Sequence, residues 1–312
     1  MKKIKWLILL FAISISAQEN KWTTQEITID TELNGTLFKA NVDQKKPILA
    51  IIISGSGPTN RSGNQPGVHN NSLKYLAQGL ANKGISVFSF DKRAIAQIIS
   101  GKTDESKMVF EDNSTDVNQI VSYFKESKEY SKIVLIGHSE GSLIGMMSAS
   151  KNVDGFVSIA GPGRPFDELL NEQIAKQYPK SAAITKTNLD ILKSGKTFDC
   201  ISESPIIKSL FRNSVQNYLI SWIKINPQLE IKKLHIPILL INGTADLQVS
   251  ENEAKILKAA QPKAELVIIN KMNHVLKIIE GEESENKASY NNPKLPVAPE
   301  LIASISEFIS KM

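Results

Sequence analysis

The rhythm of hydrophobic and polar residues changes several times along the chain, and each rhythm predicts an element. Between Trp22 and Val42 short alternating stretches such as Glu26-Ile27-Thr28-Ile29 and Gly35-Thr36-Leu37-Phe38 suit an antiparallel hairpin with one wet face. Pro47 to Ile53 is continuously apolar, the mark of a strand buried on both faces of a parallel sheet, and it runs into the loop Ser54-Gly55-Ser56-Gly57-Pro58. Strand-like runs then recur at Ser86 to Phe90, Lys132 to Ile136, Gly155 to Ile159, Ile236 to Asn242 and Glu265 to Asn270. Helical periods fall at Ser72 to Asn82, Thr115 to Ser127, Glu140 to Ser150, Glu251 to Ala260 and Pro299 to Lys311. Such alternation predicts βαβ units and a parallel sheet covered by helices. Glu280 to Pro296 is polar and reads as a loop.

Between Gly161 and Leu234 helical spacing dominates and no buried strand is expected. Phe166, Leu169, Leu170, Ile174 and Tyr178 recur on one stripe, and Leu210, Phe211, Val215, Tyr218, Leu219, Trp222 and Ile223 on another. The expectation is a helical cap inserted at 162–234 between two parts of one α/β core, 18–161 and 235–312. The plainer alternative is that these helices only pad the core. No internal repeat or low-complexity linker divides the chain.

The first residues read separately. Lys2, Lys3 and Lys5 precede an apolar run from Trp6 to Ile15, and small and polar residues follow around Ser16 and Ala17. A membrane span needs about 20 apolar residues, so residues 1–17 are expected to be a signal peptide of a secreted or periplasmic protein, with no stable membrane insertion after cleavage. The one cysteine, Cys200, excludes an internal disulfide and is read as structural, because Asp199 and Glu203 nearby disfavour a reactive thiolate. A hydrophobic content of 41% with 22% charged residues is ordinary for a globular chain of 312 residues. The net charge of +5, or +2 once the three leader lysines are removed, calls for no nucleic-acid partner.

The strongest local signal is Gly137-His138-Ser139-Glu140-Gly141, a G-x-S-x-G between an apolar strand and a helix. A strand-to-helix turn this sharp presents the serine oxygen at the carboxyl edge of a sheet, with glycines where neighbouring elements approach too closely for a Cβ. A serine hydroxyl needs a base, which in this arrangement comes late in the chain in the order serine, acid, histidine. Of four histidines, His69 is misplaced, His138 is turned away by the tight bend and is expected to pack or hydrogen-bond, and His235 sits at the wrong end of a strand. His274, in the loop after the last strand, is the expected base. Asp246, in the loop after the preceding strand, is the expected acid that orients it. Asp91 is held in reserve and expected instead to pair with Lys92 or Arg93. The oxyanion donors are expected to be the backbone amides of Ser56 and Glu140. A dinucleotide reading of the glycine loop fails at Asn60, and a P-loop reading of Gly195-Lys196-Thr197 fails at Asp190.

Together, Ser54-Gly55-Ser56-Gly57-Pro58-Thr59-Asn60-Arg61, Phe90-Asp91-Lys92-Arg93, Gly137-His138-Ser139-Glu140-Gly141, Gly243-Thr244-Ala245-Asp246 and Asn273-His274-Val275-Leu276-Lys277 resemble secreted bacterial α/β-hydrolases of the serine esterase type. Ala94 departs from the glycine expected after Asp-Lys-Arg. The resemblance implies an α/β-hydrolase fold and cleavage of carboxylic esters with short acyl chains, with Ser139, Asp246 and His274 as triad and Ser56 and Glu140 as oxyanion hole. It implies no metal or organic cofactor and a small-molecule ester as substrate. Phe211, Tyr218 and Trp222 are expected to line the acyl pocket. Two other readings stay open. One is a serine peptidase on the same triad, with Asp167, Glu168 or Glu172 anchoring a substrate amine; the other is a silent binding protein on a hydrolase scaffold.

Overall fold

The computed structural model describes residues 21–43, 46–149 and 153–312. The expected leader at 1–17 lies outside the described residues. Eight strands form one sheet: β1 (Trp22–Thr28), β2 (Asn34–Ala40), β3 (Ile48–Ile53), β4 (Ser86–Phe90), β5 (Lys132–His138), β6 (Gly155–Ile159), β7 (Ile238–Gly243) and β8 (Glu265–Ile269). Their order is β1-β2-β4-β3-β5-β6-β7-β8. The hairpin β1–β2 and the β2–β4 pair are antiparallel, and every other pair is parallel.

Continuous apolar strands are needed because both faces of the sheet are covered. Along β3, Leu49, Ile51 and Ile53 enter one core cluster while Ala50 and Ile52 enter the other. In β5, Ile133 and Leu135 divide from Val134 and Ile136 in the same way. Helices α1 (Ser72–Ala81) and α12 (Pro299–Ser310) cover one face through Leu73, Leu76, Leu301 and Ile305. The other face carries α3 (Glu111–Ser127), α4 (Glu140–Ser148) and α10 (Glu251–Ala260).

From the end of β6 to the start of β7 the chain is helical, with α5 (Phe166–Gln177), α6 (Ala182–Lys193), α7 (Pro205–Phe211), α8 (Gln216–Ile223) and α9 (Pro227–Lys232). Their apolar residues, among them Leu170, Leu189, Phe211 and Trp222, belong to the same cluster as the second face of the sheet. The helices therefore extend the core over the carboxyl edge of the strands and share its hydrophobic stabilisation.

Two helices were not expected from the sequence. Arg93–Ser100 forms α2, closed by Gly101 in the left-handed conformation at φ 67°; it has no fully buried residue, and its Ile98 and Ile99 stay exposed. The polar stretch read as a loop after Glu280 contains α11 (Glu283–Ser289), held through Asn286 and Ser289 rather than by apolar packing. Among the described residues no helix is long and apolar enough to cross a membrane.

Candidate active site

Ser139 stands where β5 turns into α4, with φ 55° and ψ −124°. A non-glycine residue rarely adopts this backbone region, and it persists only where the surroundings enforce it. Here they do. The Ser139 N–H donates to the Ile159 carbonyl at 2.9 Å. A Cβ on Gly141 would lie 2.3 Å from the Ile53 carbonyl oxygen, and one on Gly137 the same distance from that of Gly141. Only glycine lets α4 start so close to the end of β3, and that closeness holds the serine in its turn.

Because β5, β6, β7 and β8 are consecutive parallel neighbours, the loops at their carboxyl ends share one edge. Asp246 follows β7 and His274 follows β8. The Asp246 carboxylate, with only 1% of its side chain exposed, divides its work: Oδ1 accepts from the backbone N–H of Gln248 and of Val249, each at 2.8 Å, and Oδ2 meets His274 Nδ1 at 2.8 Å. The two amides fix the carboxylate, and the carboxylate fixes the imidazole with Nε2 as its other nitrogen.

His138 joins the serine elbow to this pair. Its Nε2 lies 2.8 Å from the carbonyl oxygen of His274, and the two rings are 4.9 Å apart. Burial, reinforced by the neighbouring His274, lowers the His138 imidazole to about 3, so the ring is neutral and its Nε2–H donates to that carbonyl. The hydrogen-bonding role expected for it is the one it plays.

Side chains of α11 fasten the two loops to each other. Asn273 Nδ2 donates to Asn286 Oδ1 at 2.8 Å and to Ser289 Oγ at 2.7 Å, while Asn286 Nδ2 donates to the Ala245 carbonyl at 2.7 Å. Asn286 thus touches the residue before His274 and the residue before Asp246. Sequence reasoning missed it, since nothing local distinguishes an asparagine in a polar stretch.

Ser56, Ser139 and Glu140 line a cavity of about 80 Å³ together with Phe166, Leu170 and Trp222. A Cβ on Gly55 would lie 3.2 Å from Ser139 Cβ, so the glycine loop after β3 passes directly over the serine. Of the three residues expected to line an acyl pocket, Trp222 lines this cavity, stacked on Phe166 with ring centroids 3.9 Å apart. Phe211 does not: it is fully buried, 6.2 Å from the Phe198 ring. Tyr218 does not either; its hydroxyl donates to Glu140 Oε1 at 3.3 Å, and it lines a separate cavity of about 460 Å³. A helical stripe identifies the inward face, and both core and cavity lie inward.

The charged residues also differ from expectation. Asp91 pairs with neither Lys92 nor Arg93; it accepts from the Arg61 backbone N–H at 2.7 Å and from its guanidinium at 3.0 and 2.7 Å, binding the glycine loop to the end of β4. Lys92 meets Glu140 Oε1 at 2.5 Å, and Arg93 meets Asp116 and Glu32 at 2.5 and 2.6 Å. Arg164 also faces the smaller cavity, but its guanidinium is bound at 2.5 Å to the fully buried Glu253 and at 2.6 Å to Glu172. Both carboxylates raise its pKa, so it stays charged. Among the described residues no cluster of three or more His, Cys, Asp or Glu side chains could hold a metal ion.

A mostly parallel eight-stranded sheet with a strained serine after its fifth strand and an Asp–His pair at the same edge is an α/β-hydrolase. The chain belongs to the Hydrolase_4 family, serine aminopeptidase S33, which it matches over residues 66–280. It is 28% identical over 271 residues, 84% of its length, to esterase EstD of Thermotoga maritima, and it spans 62% of the length of that relative. Its fold resembles that of Est1E from Butyrivibrio proteoclasticus, with a TM-score of 0.58 at 17% identity over 92% of this chain and 98% of the other. It also resembles the Pyrococcus furiosus esterase Pf2001, with a TM-score of 0.55 at 17% identity, over 93% and 92% of the two chains.

Proposed function

We propose that the protein is a serine hydrolase that cleaves carboxylic esters with short acyl chains through an acyl-enzyme on Ser139, and that it acts outside the cytoplasm after removal of its N-terminal segment. The observation that carries this reading is the enforced φ of 55° at Ser139 on the sheet edge that also bears the Asp246–His274 pair. His274 Nε2 takes the serine proton as Oγ adds to the ester carbonyl, while Asp246 stabilises the imidazolium that forms. The carbonyl oxygen gains a negative charge and is received by the Ser56 and Glu140 amides. The imidazolium then returns its proton to the departing alcohol, and a water activated by the same nitrogen releases the acid.

Two features favour a short, uncharged acyl group. A cavity of about 80 Å³ holds the equivalent of a few water molecules, and much of its lining is the Leu143, Phe166, Leu169, Leu170, Trp222 and Val249 side chains.

The family description and the similarity to an esterase point to different leaving groups, amine and alcohol. An aminopeptidase needs a free carboxylate to receive the substrate ammonium. Asp167 binds Lys193 through Oδ2 at 2.6 Å and Glu172 binds Arg164 and Lys176, each at 2.6 Å, and although Asp167 Oδ1 is buried without a partner among the described residues, neither residue lines the cavity. Glu168 is exposed and does not line the cavity. Assaying the purified protein on p-nitrophenyl acetate through octanoate, beside aminoacyl nitroanilides, decides between the two. Ester turnover lost in Ser139→Ala, with the shorter esters preferred, supports the proposal; turnover of the anilides alone replaces it with the peptidase.

A further inference from the structure

Glu140 occupies a contradictory position. Its backbone amide starts α4 beside Ser139, where a developing oxyanion is received, yet its own carboxylate is buried, with 1% of the side chain exposed. The three bonds between Cα and the carboxyl carbon keep that charge within roughly 7 Å of any oxygen bound at the amide. An anion so close, in a site shielded from water, opposes the growth of a second negative charge.

Two side chains meet the carboxylate. Lys92 Nζ lies 2.5 Å from Oε1 and is itself only 7% exposed, and the Tyr218 hydroxyl lies 3.3 Å from the same oxygen. Burial, then the charge of Glu140, pushes the Tyr218 phenol well above its usual value, so it remains a proton donor. Other cations nearby are committed elsewhere, Arg164 to Glu253 and Glu172, Arg93 to Asp116 and Glu32. Lysine is almost never this buried unless paired. The pairing also crosses the fold, from the residue after the end-of-β4 Asp91 to the residue after the nucleophile, 48 positions apart.

We propose that Lys92 is a positioning residue for catalysis: it neutralises the buried Glu140 carboxylate, so that the Glu140 amide can receive the oxyanion without repulsion from its own side chain. The inference rests on the reading of that amide as an oxyanion donor. Removing the cation leaves the ground state of a neutral ester little changed and raises the charged transition state, so the effect falls on kcat and not on KM. At the separation above, an uncompensated carboxylate slows the step by roughly 10- to 50-fold.

The test compares Lys92→Met, the double variant Lys92→Met/Glu140→Gln and Ser139→Ala with the wild-type full chain, on p-nitrophenyl butyrate. Lys92→Met is expected to lose 10- to 50-fold in kcat with KM within twofold, and the double variant, which removes both charges and keeps the shape, to recover at least fivefold of that loss. Should Lys92→Met not fold, the double variant decides: kcat within tenfold of wild type supports the inference. A Lys92→Met enzyme within twofold of wild type, or a double variant no faster than the single or more than tenfold below wild type, overturns it. Turnover that survives in Ser139→Ala overturns the esterase reading itself, whereas turnover lost there but kept in Lys92→Met overturns only the role of Lys92.

Discussion

Gly243 ends β7 three residues before Asp246, and its Cα faces the backbone of the His274 loop. A Cβ there would lie 1.9 Å from the Met272 carbonyl oxygen and 2.5 Å from its carbonyl carbon. The same oxygen accepts the Ala245 N–H at 3.0 Å, the bond that ties the two loops together next to Asp246. Gly243→Ala therefore has to open the gap by about 1.5 Å to reach the 3.4 Å of ordinary contact, and the atom in the way is backbone, which does not swing aside. Gly243 is not among the glycines with positive φ, so the alanine itself is unstrained and the effect is purely steric. Misplacing a catalytic group by about 1 Å costs roughly 100-fold, so kcat/KM on a p-nitrophenyl ester is expected to fall by about that factor, near 2.7 kcal/mol. Overpacking also costs about 1–3 kcal/mol of stability, read as a melting temperature several degrees lower. Titrating active sites with a fluorophosphonate separates slow enzyme from misfolded enzyme. An alanine variant within threefold of wild type at an unchanged melting temperature refutes the claim that this contact sets the spacing of acid and base.

Three further outcomes follow from the same geometry. Asp246→Asn keeps the shape but removes the charge that fixes the His274 tautomer, and kcat at saturating ester is expected to drop about 10³- to 10⁴-fold; a loss below tenfold contradicts the assigned acid. His138 is neutral in the folded protein down to about pH 3 but titrates near 6.5 when unfolded. The unfolded chain then binds the extra proton, and the stability present above pH 6.5 is lost as pH falls toward 3. His138→Gln, which keeps an N–H donor for the His274 carbonyl, is expected to flatten the decline in melting temperature between pH 7 and 4.5, and an unchanged slope counts against this account. Trp222→Ala removes the ring stacked on Phe166 and Phe110 and enlarges the small cavity; the kcat/KM ratio of octanoate to acetate esters is expected to rise about tenfold, and a ratio that stays constant places the acyl group elsewhere.

What was legible in the sequence is what is written in contiguous residues. β4 and β6 fall at Ser86–Phe90 and Gly155–Ile159 as the apolar runs predict, because a strand covered on both faces has to be apolar throughout. Ser139, Asp246 and His274 could be chosen for the same reason: each sits within a few residues of the carboxyl end of a recognisable strand. Contacts that join distant segments left no such trace. Asp91 is bound by Arg61, 30 residues earlier, rather than by the cations beside it, because the two residues after a strand end point elsewhere while the glycine loop folds back over it. Asn286 and Ser289 look like loop residues until the Asp246 and His274 loops meet and need fastening. Phe211, Tyr218 and Trp222 carry the same apolar signal, yet one fills the core, one supports Glu140 and one faces the cavity.

The central claim is that one hydroxyl, made nucleophilic by the Asp246–His274 pair, carries the acyl group. Its most direct test is intact-mass spectrometry of the protein after treatment with a fluorophosphonate, followed by peptide mapping. A single adduct on Ser139, absent in Ser139→Ala and formed at least a hundredfold more slowly in His274→Ala, is the result predicted; an adduct on another residue, or labelling as fast without His274, contradicts it.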